Sequence, residues 1–539
     1  MATRGVESPV GGTVTSIAVT AGGTVSAGDL LVAVEVMKME HPVTAPSDGT
    51  VDAVLVELGA LVEAGTPLVR LAPLEAADAP APDVPAPDVP ATDVPATDVP
   101  ATDVPATDTA VSDTGDGDVP DRQDLARLRE RRARLRDDAR PDAVARRHAQ
   151  GSRTARENVA ALLDPGSFVE YGGLAVAAQR RRRDLDDLLA STPADGLVTG
   201  IGTVHADRLD PERSRVAVAA YDYTVLAGTQ GQTNHAKLDR LLGLCERLRL
   251  PLVVFAEGGG GRPGDTDGLG ASWLDVTTFG AFARLSGQVP LVAVVNGRCF
   301  AGNAALAGCA DVVIATRSAR LGMAGPAMIE GGGLGRVDAD DIGPASMHAR
   351  TGAVDVLVDD ELAAAAVARR YLGHLQGPHA TGTAADQAAL RDAVPEHRKQ
   401  VYDVRAIVER LADVDSVLEL RRDAAPGMVT ALARLGGRPV GILANDPTHL
   451  GGAIDADGAD SAARLLGLCD AHGLPVVVLC DTPGFMVGPD AEEAAGVRRF
   501  GRLFLAGANL SVPLLAVVLR KAYGLGPRRC WAAPCGRRS

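Results

Sequence analysis

The chain repeats itself at long range. Val216-Ala-Val-Ala-Ala-Tyr-Asp-Tyr-Thr224 aligns with Val440-Gly-Ile-Leu-Ala-Asn-Asp-Pro-Thr448, an offset of 224 (440 − 216). At the same offset Leu241-Leu-Gly-Leu-Cys245 recurs as Leu465-Leu-Gly-Leu-Cys469, and Leu250-Pro-Leu-Val-Val254 as Leu474-Pro-Val-Val-Val478. One residue is lost before Val289-Pro-Leu-Val-Ala-Val-Val295 meets Val512-Pro-Leu-Leu-Ala-Val-Val518, at 223 (512 − 289). Strand, helix and strand recur in register, so the larger part of the chain is expected to be two copies of one α/β unit. Short apolar strands ending in Gly-rich turns, Glu257-Gly-Gly-Gly-Gly-Arg262 and Asp481-Thr-Pro-Gly-Phe485, alternate with helical segments and predict βαβ layers.

A second, shorter repeat lies at the N-terminus. Pro9-Val-Gly-Gly-Thr-Val14 returns as Pro46-Ser-Asp-Gly-Thr-Val51, and Gly22, Val25, Ala27, Gly28, Leu31 and Val32 return as Gly59, Val62, Ala64, Gly65, Leu68 and Val69, each 37 residues on (46 − 9). Period-two apolar runs at Val14 to Val19 and Leu30 to Val36 predict two interlocked antiparallel sheets related by a pseudo-two-fold axis. Between the halves stands Glu35-Val36-Met37-Lys38-Met39-Glu40-His41, one Lys between two methionines at a hairpin. Residues 6 to 73 resemble the biotinyl domain of biotin-dependent carboxylases; lipoyl domains share its flattened all-β barrel, but their Lys usually lacks the flanking methionines. The resemblance implies biotin attached covalently to Lys38, with Met37 and Met39 beside it, and a biotin protein ligase to attach it.

Composition separates a tether from the folded parts. The 539 residues are 46% hydrophobic, enough for several packed domains. The net charge of −15 includes 11 Asp between residues 76 and 121, where there is no Lys, Arg or Glu, so the remainder carries only −4 and does not repel an anionic CoA. From Ala76 to Pro120 the chain repeats Ala-Pro/Thr-Asp-Val-Pro, too poor in large apolar groups to fold. A fully extended polyproline II stretch of this length spans at most about 140 Å, which suits a semi-stiff tether. Asp121 to Arg156 reads as a solvated, charge-rich helical region, with Leu125, Leu128 and Leu135 at helical spacing; its interspersed acids argue against nucleic acid. No apolar run is long enough for a membrane span and the N-terminus lacks a signal-peptide core, so a cytoplasmic protein is expected. The seven cysteines lack CxxC spacing, so neither disulfides nor a metal site are indicated, and buried thiols are expected.

Ala155-Arg-Glu-Asn-Val-Ala-Ala-Leu-Leu-Asp-Pro-Gly-Ser-Phe-Val-Glu-Tyr171 resembles the opening of acyl-CoA carboxyltransferases, the other half-reaction of the same enzymes. That resemblance implies two duplicated α/β crotonase-like (ClpP/crotonase) domains. Carboxyl transfer from biotin to an acyl-CoA puts negative charge on the ureido oxygen and on the thioester oxygen, so two oxyanion holes are needed. Backbone N–H groups at a helix start suit both, and losing one such donor costs about 2.7 to 4 kcal/mol. Gly297-Arg-Cys-Phe-Ala-Gly-Asn303 and Arg520-Lys-Ala-Tyr-Gly-Leu-Gly526 follow the duplicated strand and resemble the family's Cys-Ala-Gly-Gly-Ala and Arg-Lys-Ala-Tyr-Gly-Gly-Ala motifs. The resemblance maps one hole to Ala301 and Gly302 and the other to Leu525 and Gly526. It also implies that no protein side chain acts as base, because biotin takes the α-proton, and it places Asp481-Thr-Pro-Gly-Phe-Met-Val-Gly488 near the CoA and biotin cleft. Arg180 to Arg183 are read as a solvated loop, with contact to CoA phosphates as the alternative.

The expected division is a biotinyl domain at 1–75, a tether at 76–121, an N-terminal crotonase-like domain at 122–390, an incomplete C-terminal one at 391–526, and an aberrant basic tail at 527–539. The first copy runs some 70 residues beyond its turn and the second only 13 (539 − 526), with Pro527 removing a backbone donor. This asymmetry predicts a truncated or frame-shifted end, exposed apolar sheet surface and weak activity. The function expected is the carboxyltransferase and biotin carrier component of an acyl-CoA carboxylase acting on a short acyl-CoA, acetyl or propionyl. The alternatives are an acyl-CoA decarboxylase component running the transfer in reverse, or a catalytically impaired carrier or assembly subunit. No ATP loop of the Gly-x-x-x-x-Gly-Lys-Ser/Thr type is present, so ATP and bicarbonate would be used by a separate biotin carboxylase subunit. The family's active sites lie between subunits, which implies a homo-oligomer.

Overall fold

The computed structural model describes residues 4–36, 39–72, 122–267, 276–379 and 382–524. They fall into two compact units, divided after Arg129.

The first unit holds eight strands: β1 (Arg4–Glu7), β2 (Gly12–Ile17), β3 (Thr24–Val25), β4 (Leu30–Val36), β5 (Met39–Thr44), β6 (Gly49–Val54), β7 (Leu61–Val62) and β8 (Pro67–Ala72). They form two four-stranded sheets, ordered β1-β8-β6-β3 and β5-β4-β2-β7. A shift of 37 residues turns β1 into β5, β8 into β4, β6 into β2 and β3 into β7 in that relation, so the sequence repeat exchanges the sheets. Backbone bonds obey it as well: Gly22 N–H donates to Val51 O and Gly59 N–H to Val14 O, both at 2.8 Å. The repeated pairs Leu31 and Leu68, and Val32 and Val69, are fully buried between the sheets; each such side chain contributes roughly 1.5–3 kcal/mol on burial. β4 and β5 pair antiparallel as far as Val36 opposite Met39. Met37 and Lys38 are the two residues between them and lie outside the described residues.

In the second unit β9 (Val169–Tyr171), β10 (Leu197–Thr203), β11 (Arg215–Tyr221), β12 (Leu252–Phe255), β13 (Leu291–Val295), β15 (Val312–Thr316) and β17 (Val356–Val358) build one sheet, ordered β17-β15-β13-β12-β11-β10-β9. A small ribbon, β14 (Arg298–Phe300) with β16 (Arg320–Gly322), stands apart. The second sheet runs β18 (Leu418–Leu420), β19 (Met428–Leu435), β20 (Arg438–Asn445), β21 (Val476–Thr482) and β22 (Leu514–Ala522) in that order. The duplication holds to the residue. Ala217 pairs with Leu252 and Leu252 with Leu291 in parallel; their counterparts Gly441, Val476 and Leu514 pair identically. The repeated Leu-Leu-Gly-Leu-Cys runs lie in the helices Gln232–Leu248 and Ala456–Ala471, with Leu241, Leu242, Leu465 and Leu466 at most 2% exposed.

The helix Glu361–Leu375 joins the copies through Ala364, Ala368, Tyr371 and Leu372, which share one buried cluster with Leu418, Leu432 and Leu465. The copies differ at their edges. β13 is wholly buried between β12 and β15, whereas Leu515, Val517 and Val518 of β22 are 62, 49 and 57% exposed. The tail after Gly524 lies outside the described residues. Among the described cysteines, Cys245, Cys299, Cys469 and Cys480 are buried as expected, and burial pushes the Cys245 and Cys469 thiols up to about 12. Cys309 corrects that expectation: it caps the short helix Gly302–Gly308 at its end and is exposed.

Near the end of the joining helix, burial and the charges of Arg434 and Arg370 push the His374 imidazole down to about 3. An ordinary His titrates near 6.5, so this residue's stability contribution is fully present above that pH and is lost as the pH falls from there toward 3. We expect unfolding free energy to drop by up to about 1.4 kcal/mol per pH unit below 6.5 from this residue. Denaturant melts at pH 6.5 and 5 should show a shallower dependence for His374→Gln.

Candidate active site

The first expected turn is built where β14 leaves its ribbon and the helix Gly302–Gly308 begins. Ala301 is its N-cap and takes φ 51, ψ −119, an unusual conformation for a residue with a Cβ. Its N–H donates to Gly322 O at 2.9 Å and its carbonyl accepts from Ala305 N–H, also at 2.9 Å. Of the expected pair, Gly302 is therefore the open donor: its N–H has no acceptor among the described residues. Gly302 must be small, since a Cβ there would overlap Gln230 Oε1. Gln230 is held in place by its amide N–H to Tyr221 OH at 3.0 Å.

The loop after β12 closes over this turn. Gly260, at φ +82, would bring a Cβ to 2.5 Å from the Ala301 Cβ, so only glycine permits the approach. Its N–H donates to Asn303 Oδ1 at 3.0 Å, tying the loop to the new helix. Gly258 N–H donates to Arg298 O (2.7 Å) and Phe300 N–H to Gly258 O (2.9 Å). Glu257 begins this loop and is buried. Arg147 meets it with Nη1 at 2.8 Å and Nη2 at 2.5 Å, and burial pushes the carboxyl up to about 7 against the pull of that arginine.

The second copy repeats part of this arrangement as far as Gly524. Gly484, the counterpart of Gly260, has φ +124, and a Cβ there would lie 3.4 Å from Tyr523 O. Tyr523 N–H donates to Thr482 O at 3.1 Å, as Phe300 does to Gly258. The copy-to-copy offset of 223 pairs Ala301 with Gly524 and Gly302 with Leu525 (302 + 223). Leu525 and Gly526, like Lys38 and Met37, lie outside the described residues; Met39 is described as a strand residue only. Asp481, in the Asp-Thr-Pro-Gly-Phe turn, is fully buried, and its Oδ2 accepts from Tyr402 OH at 2.8 Å and Arg520 Nε at 3.0 Å.

One further feature, present in both copies, went unread in the sequence. Asp222 Oδ1 accepts from Thr224 N–H at 2.9 Å and Oδ2 from Arg140 at 2.9 Å; Asp446 accepts from Thr448 N–H at 2.9 Å and is clamped by Arg405. Both Asp-x-Thr triplets stood in the aligned repeat. In the Arg180 to Arg183 run the side chains of Arg180 to Arg182 are exposed while the backbone is anchored: Arg180 and Arg181 backbone N–H groups donate to Asp267 (2.9 and 3.0 Å), and Arg183 pairs with Asp187 at 2.7 Å. The first two arginines line an open cavity of about 550 Å³ with Gln232 and Thr233.

Comparison with known proteins agrees with this geometry. Residues 146–527 match the carboxyl transferase domain, and residues 3–71 match the domain of biotin-requiring enzymes. The chain belongs to the carboxyl transferase domain family. It is a carboxyltransferase with its own biotin carrier domain, of the kind found in acyl-CoA carboxylases, and its cofactor is covalent biotin. The methylmalonyl-CoA carboxyltransferase 12S subunit of Propionibacterium freudenreichii subsp. shermanii is 34% identical, over 71% of this chain and 72% of that protein. The propionyl-CoA carboxylase beta chain of Saccharopolyspora erythraea is 33% identical, over 71% of each. Among solved structures, a transcarboxylase 12S hexamer with hydrolysed methylmalonyl-CoA superposes with a TM-score of 0.67 at 31% identity, over 77% of this chain and 80% of that one. A single-chain, multi-domain long-chain acyl-CoA carboxylase superposes with a TM-score of 0.74 at 50% identity; it covers 98% of this chain, which spans 48% of its length.

Replacing Gly302 by Ala would drive the new Cβ into Gln230 and displace the open N–H. Loss of one preorganised donor is expected to lower kcat about 10²- to 10³-fold, measured as steady-state carboxylation of acyl-CoA, with the fold retained by circular dichroism.

Proposed function

We propose that this chain moves a carboxyl group between biotin on Lys38 and the α-carbon of an acyl-CoA, in the direction of acyl-CoA carboxylation. The single observation that supports this most is the open N–H of Gly302 at the strand-to-helix turn of the first copy, whose leading strand is duplicated in the second copy. In this reading Ala301 shapes the first hole and Gly302 donates to one developing oxyanion, while Leu525 and Gly526 serve the other. Bound biotin supplies the carboxyl group and accepts the α-proton. Among the described residues near the first turn, Glu257 is held by Arg147 and its carboxylate lies against Gly297. The reading keeps the division into a carrier at 1–75, a tether at 76–121, transferase copies at 122–390 and 391–526, and a tail at 527–539. It also includes a cytoplasmic location, a biotin protein ligase, a biotin carboxylase subunit that uses ATP and bicarbonate, and a homo-oligomer, in keeping with the hexameric assembly of transcarboxylase 12S.

Acetyl-CoA or propionyl-CoA is the acyl group in this reading, supported by the propionyl-CoA carboxylase relative. A longer acyl chain is the second reading, supported by the 50% identity to the long-chain carboxylase. Intact mass of the purified chain is expected to show one biotin, absent in Lys38→Arg. With ATP, bicarbonate and an added biotin carboxylase, the biotinylated chain should carboxylate propionyl-CoA or palmitoyl-CoA, and the ratio of kcat/KM decides the chain length. Biotin without turnover on either would favour a carrier or assembly subunit, and CO2 release from malonyl-CoA without ATP would favour the reverse reaction.

A further inference from the structure

In each copy a buried acid ends the second parallel strand. Glu257 follows β12 and Asp481 lies in β21, 224 residues apart (481 − 257). Both backbone carbonyls pack against a left-handed glycine, Gly228 (φ +65) and Gly452 (φ +86), where any Cβ would overlap the Glu257 or Asp481 carbonyl oxygen. Both acids lie against the segment that becomes an oxyanion turn. The Glu257 carboxylate sits so close to Gly297 that a Cβ there would overlap Oε1. Asp481 Oδ2 takes the Arg520 Nε hydrogen bond, and its Oδ1 lies 3.5 Å from Lys521 Nζ. By the 223 offset Arg520 and Lys521 are the counterparts of Gly297 and Arg298 (297 + 223).

The acid is kept in both copies, and the source of its cation differs. In the first copy position 297 is glycine, and Arg147 reaches in from the helix Pro141–Ala149. In the second, the turn supplies its own cations. Arg520 is further fixed by stacking at 4.5 Å on the Tyr402 ring and by Nη1 donating to Gln400 O at 2.6 Å; Lys521 Nζ donates to Gly451 O at 2.6 Å. A buried carboxylate with a fixed cation holds its surroundings in one arrangement, because separating the pair would leave an uncompensated charge.

We propose that Glu257 and Asp481 are matched positioning residues, each fixing through its own cation the backbone that leads into one turn, Phe300 to Gly302 in the first copy and Lys521 to Gly524 in the second. Neither touches the reacting atoms. The inference rests on the reading of the two turns as oxyanion holes and adds that the holes are tuned independently, one acid to each.

The test is hydrogen–deuterium exchange by mass spectrometry on the full biotinylated chain, which needs no turnover and so is decided separately from the proposed function. Glu257→Gln is expected to speed exchange at least 10-fold in peptides spanning Phe300 to Ala304 and to leave those spanning Lys521 to Gly524 unchanged. Asp481→Asn should do the reverse. Where Asp481→Asn does not fold, Tyr402→Phe, which deletes one hydrogen bond and no charge, should give a smaller change at the same second turn. In turnover, Glu257→Asp should recover part of what Glu257→Gln loses, since the shorter acid keeps the charge. Exchange altered equally at both turns by either variant, or at neither, would overturn the proposal.

Discussion

A strand that turns directly into a helix brings to its junction backbone N–H groups with no helical acceptor. In the proposed reading that unmet demand is put to use. Gly302 opens its helix with such an N–H, and the surroundings keep it open: Ala301 spends its own N–H on Gly322, Gly260 approaches with no side chain, and Gln230 occupies the space a larger residue would need. The helix dipole favours negative charge there. A fixed donor in a crowded apolar setting stabilises a developing oxyanion without rearranging, which is where most of the catalytic effect of such sites arises. The sheet register, the buried acids and the left-handed glycines all act to hold that junction still.

Duplication repeats the strands that lead into the turn. The parallel ladders β11-β12-β13 and β20-β21-β22 share a register, so whatever the first copy places at its strand ends the second places at the equivalent ends. In the proposed reading the chemistry needs two oxyanions stabilised, one on each partner of the transfer, and a duplicated unit brings two strands of like register toward that task. The copies diverge in the cation that neutralises each acid and at the sheet edge, where β22 has no strand beyond it among the described residues.

Much of this was legible in the sequence. The 224-residue repeat gave the two sheets, and the 37-residue repeat gave the exchanged sheets of the carrier, because strand periodicity and glycine turns are local signals. The turn at Ala301 and Gly302 was found by motif. That Ala301 already spends its N–H on Gly322, or that Gln230 guards Gly302, was not legible, since these depend on residues brought together by tertiary packing. The Asp222 and Asp446 clamps and the Glu257 and Asp481 pair were printed in the aligned repeats, yet their cations, Arg140, Arg405, Arg147 and Arg520, come from separate elements. Cys309 was misjudged because an apolar neighbourhood in sequence says little about the exposed end of a short helix.

The central claim is that a thioester oxygen is held by backbone N–H groups at one of these turns. A crystal structure of the chain with propionyl-CoA tests it most directly. The account predicts the thioester oxygen about 2.7–3.1 Å from a backbone nitrogen at Gly302 or in the turn after Tyr523. Coenzyme A bound with its thioester away from both turns would contradict it.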